Sequence, residues 1–248
     1  MSTAFGHLRY GPSAWQRIDL YGPLDEPADA PAPVVLVHGG YWRHDRTAQD
    51  LEPLACALAA AGHRVAVPEY RPGWDGGQWP GAAEDCTAAL RLLAQRDPRW
   101  LGATLVGHSA GAHLLLSAVA GTGAGARLVL LAPVADLVEA ARLGVGDGAV
   151  DTFLAAHLLG GGSHTDATPR LGPGDAASVT VVVAEEDQAV PAALSAHQLD
   201  TWTAQGLPVT EVRLAGARHM HLVNPRRPAW ETVLRLLAGA TGAPEESA

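Results

Sequence analysis

Ser109 is the residue whose surroundings point most directly to chemistry. It lies in Leu105-Val106-Gly107-His108-Ser109-Ala110-Gly111-Ala112-His113-Leu114, between an apolar β-type run at 103–106 and an apolar helical run at 112–119. Gly107-x-Ser109-x-Gly111 has the nucleophile-elbow pattern, a serine at the tip of a sharp strand-to-helix turn. Such a turn strains the serine backbone and leaves no room for a Cβ two residues before and after it. It exposes the hydroxyl and aims the first helical N–H groups, at the positive end of the helix dipole, at developing negative charge. The same letters also fit a plain N-cap serine in a chain with 28 glycines.

A serine hydroxyl attacks well only when a base takes its proton, and that base must be oriented by an acid. Asp187 lies just past a β-branched run at 178–183, and His219 lies five residues past another at 209–214. The order Ser109, Asp187, His219 is the chain order of the α/β-hydrolase arrangement. Glu185 and Glu186 compete for the acid role, although Asp187 lies deeper in the loop before Pro191. His221 competes for the base role; His219 is preferred because it follows the glycine turn at 216. A His219-x-His221 metal pair lacks further ligands nearby, so no metal and no cofactor are expected. Oxyanion donors are expected from the backbone N–H of Ala110 and from Gly39-Gly40, just after the apolar run 34–37. The simpler reading of His38-Gly39-Gly40 is a turn.

These residues need a frame to hold them together. The continuous apolar run at 34–37 reads as a central strand covered on both faces, and 64–67 and 127–131 read as further strands. Helical patterns cover 48–61, 82–95, 134–143, 150–159, 191–205 and 228–238, and 16–21 alternates like a half-exposed strand. A Pro/Asp/Ala linker spans 22–33, a Gly/Ser/Thr/Pro-rich loop spans 160–174, and the tail from 239 is expected to fray. Strand alternating with helix predicts an α/β fold, a mostly parallel central sheet with helices on both faces. Ligands in such sheets sit beyond the carboxyl ends of the strands, where each residue singled out above lies. With no internal repeat or splitting linker, 1–248 reads as one domain, with the irregular 134–177 region a candidate cap.

Composition excludes some roles. Net charge is −9 with no basic cluster, which leaves no electrostatic footprint for nucleic acid. Cys56 and Cys86 fall in separate helical patterns and read as free thiols. The N-terminal residues lack a signal-peptide pattern and no apolar run reaches membrane-spanning length, so a cytoplasmic protein without membrane attachment is expected. A homodimer through an edge strand or helix is compatible with such an architecture, but no patch is singled out.

From about Tyr10 to Ala238 the chain resembles the α/β-hydrolase superfamily, and within it the kynurenine-formamidase (arylformamidase)-like and bacterial esterase group. The resemblance is carried by His38-Gly39-Gly40-Tyr41-Trp42, by Gly107-His108-Ser109-Ala110-Gly111-Ala112-His113-Leu114, and by Asp187 with Val190-Pro191. It implies Ser109 as nucleophile, Asp187 as acid, His219 as base and oxyanion N–H groups from Gly39, Gly40 and Ala110. It also implies a small formyl or acetyl ester or amide as substrate. The chain departs from the pattern in an acid loop that begins Ala184-Glu185-Glu186, and in Arg218 and Met220 flanking the histidine. With phenylalanine scarce, an aryl pocket would depend on Trp42, Tyr70, Trp74 or Trp79, which otherwise read as packing under a long loop. His38, Tyr41, Trp42, His108, Trp74 and Trp79 are the pocket-lining candidates. His38, His108 and His113 read as structural or pocket-lining. The expectation is a serine hydrolase; the rivals are a generic carboxylesterase, a small peptidase, a thioesterase, or a non-catalytic binding protein on the same scaffold.

Overall fold

The computed structural model describes residues 5–23, 30–43 and 45–238. One eight-stranded sheet runs through it in the order β1-β2-β4-β3-β5-β6-β7-β8. The strands are β1 (Gly6–Arg9), β2 (Arg17–Tyr21), β3 (Val34–Val37), β4 (Val65–Pro68), β5 (Thr104–His108), β6 (Ala126–Leu131), β7 (Ala176–Ala184) and β8 (Val209–Leu214). β2 is antiparallel to β1 and β4, and β4 through β8 are parallel. β1 lies in a segment that sequence patterning reads only as polar. Its half-buried, half-exposed alternation is that of an edge strand, too short to carry a clear period.

Among the described residues the α-helices are α1 (Glu52–Ala60), α2 (Gly81–Arg96), α3 (Ala110–Val119), α4 (Leu137–Arg142), α5 (Ala149–Leu159), α6 (His164–Ala167), α7 (Ala192–Ala204) and α8 (Pro228–Leu237). Successive strand residues point to opposite faces, and the two apolar layers divide accordingly. Val35 and Val37 pack with α2, α3 and α7 residues on one face, whereas Val34 and Leu36 pack with α1 and α8 residues on the other. A sheet covered on both sides explains why β3, β4 and β5 are buried along their whole length. Among the described residues, no helix is long and apolar enough to cross a membrane.

Helix ends differ from the sequence expectation where local chemistry intervenes. The first helix opens with a 3-10 turn, Ala48–Leu51, and becomes α-helical only at Glu52, next to Pro53. The expected helix 134–143 is shortened to α4 because Pro133 and the Asp136 cap delay it. The Asp136 carboxylate accepts the Glu139 N–H at 3.0 Å. The loop expected at 160–174 contains α6, started by a capping box in which Ser163 and Asp166 satisfy each other's N–H groups. Most of the expected linker at 22–33 and the tail from 239 lie outside the described residues.

The 134–177 region packs on the loop that follows β3. Phe153 of α5 stacks on Trp42 with ring centroids 4.4 Å apart, and both are buried. His113 of α3 meets the same rings edge-on and donates from Nε2 to the Ala167 carbonyl at 2.8 Å. Burial pushes the His113 imidazole down to about 4. A histidine depressed on folding contributes its full stability above the unfolded value near 6.5 and loses it as pH falls toward about 4. Urea midpoints between pH 7 and pH 4 are therefore expected to fall more steeply in the wild type than in His113→Gln. The differential is about 3 kcal/mol across that window, and parallel pH dependences would remove His113 as its source.

Candidate active site

The turn after β5 has the strain expected of it. Ser109 has φ 55° and ψ −124°, a left-handed setting that a non-glycine residue adopts only when its surroundings enforce it. The enforcement comes from the neighbouring strand. The Ser109 N–H donates to the Leu131 carbonyl at 2.9 Å, and the Ser109 carbonyl accepts from Val134 at 3.1 Å and from Ala112 at 3.0 Å. A Cβ on Gly107 would lie 2.5 Å from the Ala112 Cα, and one on Gly111 would run into the Val37 and His38 carbonyls. Both glycines are needed because backbone passes there.

The loop after β3 comes down onto this turn. A Cβ on Gly39 would sit 2.7 Å from the Ser109 Cβ and 3.4 Å from the Ala110 nitrogen. Gly40, Tyr41 and Trp42 then follow at φ 106°, 55° and 58°, an unusual left-handed run that turns the chain, closed by an Arg43 N–H to Gly40 carbonyl bond of 3.0 Å. Among the described main-chain bonds, none engages the N–H of Gly39, Gly40 or Ala110.

The loop is held from behind by a side chain not singled out in the sequence. Glu69, directly after β4, accepts from His38 Nε2 at 2.8 Å and from the Ala48 N–H at 2.9 Å. His38 Nδ1 faces the Gly39 carbonyl at 2.9 Å, and its ring stacks on Tyr70 with centroids 4.3 Å apart. Both His38 nitrogens thus meet oxygen atoms, which fixes the ring between Glu69 and the Gly39 loop. Burial raises the Glu69 carboxyl, but His38 and the donated N–H groups outweigh it and hold the carboxyl below its usual range. The readable signal for Glu69 was an acidic residue straight after an apolar strand.

Asp187 and His219 meet after β7 and β8. His219 Nδ1 donates to Asp187 Oδ2 at 2.7 Å, while Asp187 Oδ1 accepts the Ala189 and Val190 N–H groups at 2.8 and 2.9 Å. With Nδ1 donating, Nε2 carries the free lone pair that a general base needs. The competitors are occupied elsewhere. Glu185 pairs with Arg213 at 2.9 Å, exposed Glu186 lies 3.8 Å from Arg218, and His221 Nδ1 accepts the Arg218 N–H at 3.1 Å. His219 to Val223 form a 3-10 turn that periodicity did not reveal.

Ser109 and His219 face one cavity of about 270 Å³, also lined by Gly39, Gly40, Tyr41 and His108. The His108 ring lies 4.7 Å from that of His219, and its Nε2 is buried without a partner. Burial first, and then the neighbouring His219, push His108 well below the usual histidine range, so it adds no second cation there. Burial and the Asp187 charge raise the Tyr41 phenol, which stays protonated and donates to the Ala189 carbonyl at 3.2 Å.

Of the six pocket-lining candidates, Tyr41 and His108 are in this cavity. The other four are not. His38 is buried behind the Gly39 loop, and Trp42 is packed against Phe153. Trp79 packs against His113 and Phe153, and Trp74 is 68% exposed beside Trp15. Aromatic residues in a long loop were free to pack on 134–177, which no local pattern could show. Arg43, Arg46 and Ala189 line the cavity and were not anticipated, and Met220, which flanks the histidine, lines it too. A larger cavity of about 640 Å³ along α2 holds no comparable serine and paired histidine.

Comparison with known proteins follows the same outline. The BD-FAE family model matches residues 18–138, which include Gly39, Gly40 and Ser109 and end before Asp187. Propionate-bound esterase Est2 of the planctomycete Thermogutta terrifontis superposes with a TM-score of 0.75 at 18% identity, covering 96% of this chain and 94% of that one. Esterase B of Lactobacillus rhamnosis superposes at 0.72 with 22% identity, over 94% and 83% of the two chains. The fold is that of the α/β-hydrolases. Within the α/β-hydrolase sheet, Ser109, Asp187 and His219 follow β5, β7 and β8 at the carboxyl ends, as sequence order suggested.

Removing Glu69 tests what holds the Gly39 loop. Glu69→Gln breaks a pair in which both side chains are 1% exposed, at a cost of about 3 kcal/mol at neutral pH. A carboxyl depressed on folding contributes stability above its unfolded value near 4.3 and loses it as pH falls through the folded value. The gap between wild type and variant in denaturant melts is therefore expected to narrow below about pH 4. A gap that is absent at pH 7, or that widens in acid, would contradict the assignment.

Proposed function

We propose that the protein is a cofactor-free serine hydrolase that cleaves small esters through an acyl-enzyme. The observation that carries this reading is the 2.7 Å His219–Asp187 hydrogen bond beside a cavity shared with a strained, glycine-flanked Ser109. In this reading His219 Nε2 takes the Ser109 proton as Oγ attacks the carbonyl carbon, then returns it to the leaving group. Asp187 keeps His219 in the correct tautomer and stabilises the imidazolium. The N–H groups of Gly39, Gly40 and Ala110 stabilise the oxyanion, at roughly 3 kcal/mol for each well-placed donor. Water activated by His219 then releases the acid.

The cavity volume of about 270 Å³ suits a short acyl group. Among the structural relatives, Est2 has been captured with propionate and with butyrate, and phosphonylated by sarin. Esterase B has been captured with a tributyrin phosphonate. Formamides of the arylformamidase type are the second substrate class, supported by His38-Gly39-Gly40-Tyr41-Trp42. Esters rank ahead of them because Trp42, Trp74 and Trp79 do not line the Ser109 cavity, which leaves an aryl group few flat partners.

A fluorophosphonate probe is expected to label the wild type and not Ser109→Ala. Asp187→Asn should lower kcat for p-nitrophenyl acetate by about 10³-fold or more while the variant remains folded, because the histidine loses its orienting acceptor. Rates on p-nitrophenyl butyrate should exceed those on N-formylkynurenine. Equal labelling of Ser109→Ala would overturn the nucleophile, and the reverse substrate ranking would make the protein a formamidase first.

A further inference from the structure

Behind the Ser109 cavity lies a second one of about 280 Å³, walled by Trp42, Trp74, Phe153 and Thr152. Among the described residues, Tyr41 and Arg43 are common to both linings. The partition they form is braced on every side. The Tyr41 hydroxyl donates to the Ala189 carbonyl, and the Arg43 guanidinium lies 5.5 Å over the Tyr41 ring. Arg43 also donates to the Gly146 carbonyl at 3.1 Å, and a Cβ on Gly146 would meet the Tyr41 ring at 2.5 Å.

Direction follows from the chemistry. The general acid must reach the leaving group, so the alcohol lies at the end of the cavity near His219 and Met220. The acyl chain then extends toward Tyr41. We propose that the Tyr41 ring, braced by Arg43, sets the acyl-chain limit of the Ser109 cavity, and that the space behind it is a second, apolar subsite for longer acyl groups. This rests on the ester-cleaving reading above. Closed, the partition confines substrates to short acyl groups; removed, the two spaces join against a Trp42–Phe153 floor.

The test is the ratio of kcat/KM for p-nitrophenyl octanoate over p-nitrophenyl acetate, alongside fluorophosphonate labelling. The ratio is expected to be low in the wild type and to rise about tenfold or more in Tyr41→Ala, as extra methylenes gain apolar contact. Tyr41→Phe keeps the ring and should keep the wild-type ratio. Adding Thr152→Trp to Tyr41→Ala refills the second cavity and should cancel the gain. Arg43→Ala, on an exposed side chain, should raise the ratio by about threefold, and it decides the matter if Tyr41→Ala does not fold. A ratio unmoved in Tyr41→Ala, or in Arg43→Ala where that variant decides, overturns the partition and leaves the esterase reading standing. A wild type that neither labels nor hydrolyses the acetate overturns the esterase reading itself.

Discussion

The close approach of the β3 loop to the β5 turn is the constraint on which the rest depends. Gly39 passes so near Ser109 that no side chain fits between them. That proximity brings the Gly39 main chain beside the Ser109 side chain, and both line the cavity. Two adjacent parallel strands deliver the pieces, since β3 pairs directly with β5 from Val34–Thr104 to Val37–Gly107. Packing on both sheet faces keeps those strands from moving apart. The left-handed backbone at Ser109, Tyr41 and Trp42 costs on the order of 1–3 kcal/mol per residue, and only a rigid surround sustains it.

Histidine is used here in three electrostatic settings within a small volume. His38 lies against the Glu69 carboxylate and the Gly39 carbonyl, which makes it part of the scaffold. His219 lies against Asp187 through Nδ1 and faces the Ser109 cavity. His108 is buried without an acid partner and is held neutral. The side chain is the same in each case, and the nearest acceptor and the depth of burial decide its role. With His108 held neutral, no second cation stands beside His219.

The 134–177 region joins the site through packing rather than through reacting groups. Its α5 supplies Phe153 to the Trp42 ring, and its α4–α5 turn meets Tyr41 and Arg43 at Gly146. Changes in this region would therefore reach the cavity through the Tyr41 wall. His113 ties the other side of the same region to α3 by its bond to Ala167.

Much of this protein was legible one residue at a time. The apolar runs at β3 to β7 and the glycine spacing around Ser109 are local patterns. So is the chain order of Ser109, Asp187 and His219, because strand period and turn sterics act over a few residues. Local pattern favoured Asp187 over Glu185 and Glu186, and His219 over His221, only by position in the loop, because what lies across the loop is not local. Tertiary structure supplied those contacts: Arg213 pairs with Glu185, the Arg218 main chain bonds His221, and Asp187 meets His219. It also kept Trp42, Trp74 and Trp79 out of the cavity, set Glu69 behind the Gly39 loop and joined Arg43 to Gly146, contacts between segments distant in sequence. Contacts between distant segments depend on how whole layers pack, and no single stretch of chain encodes that packing.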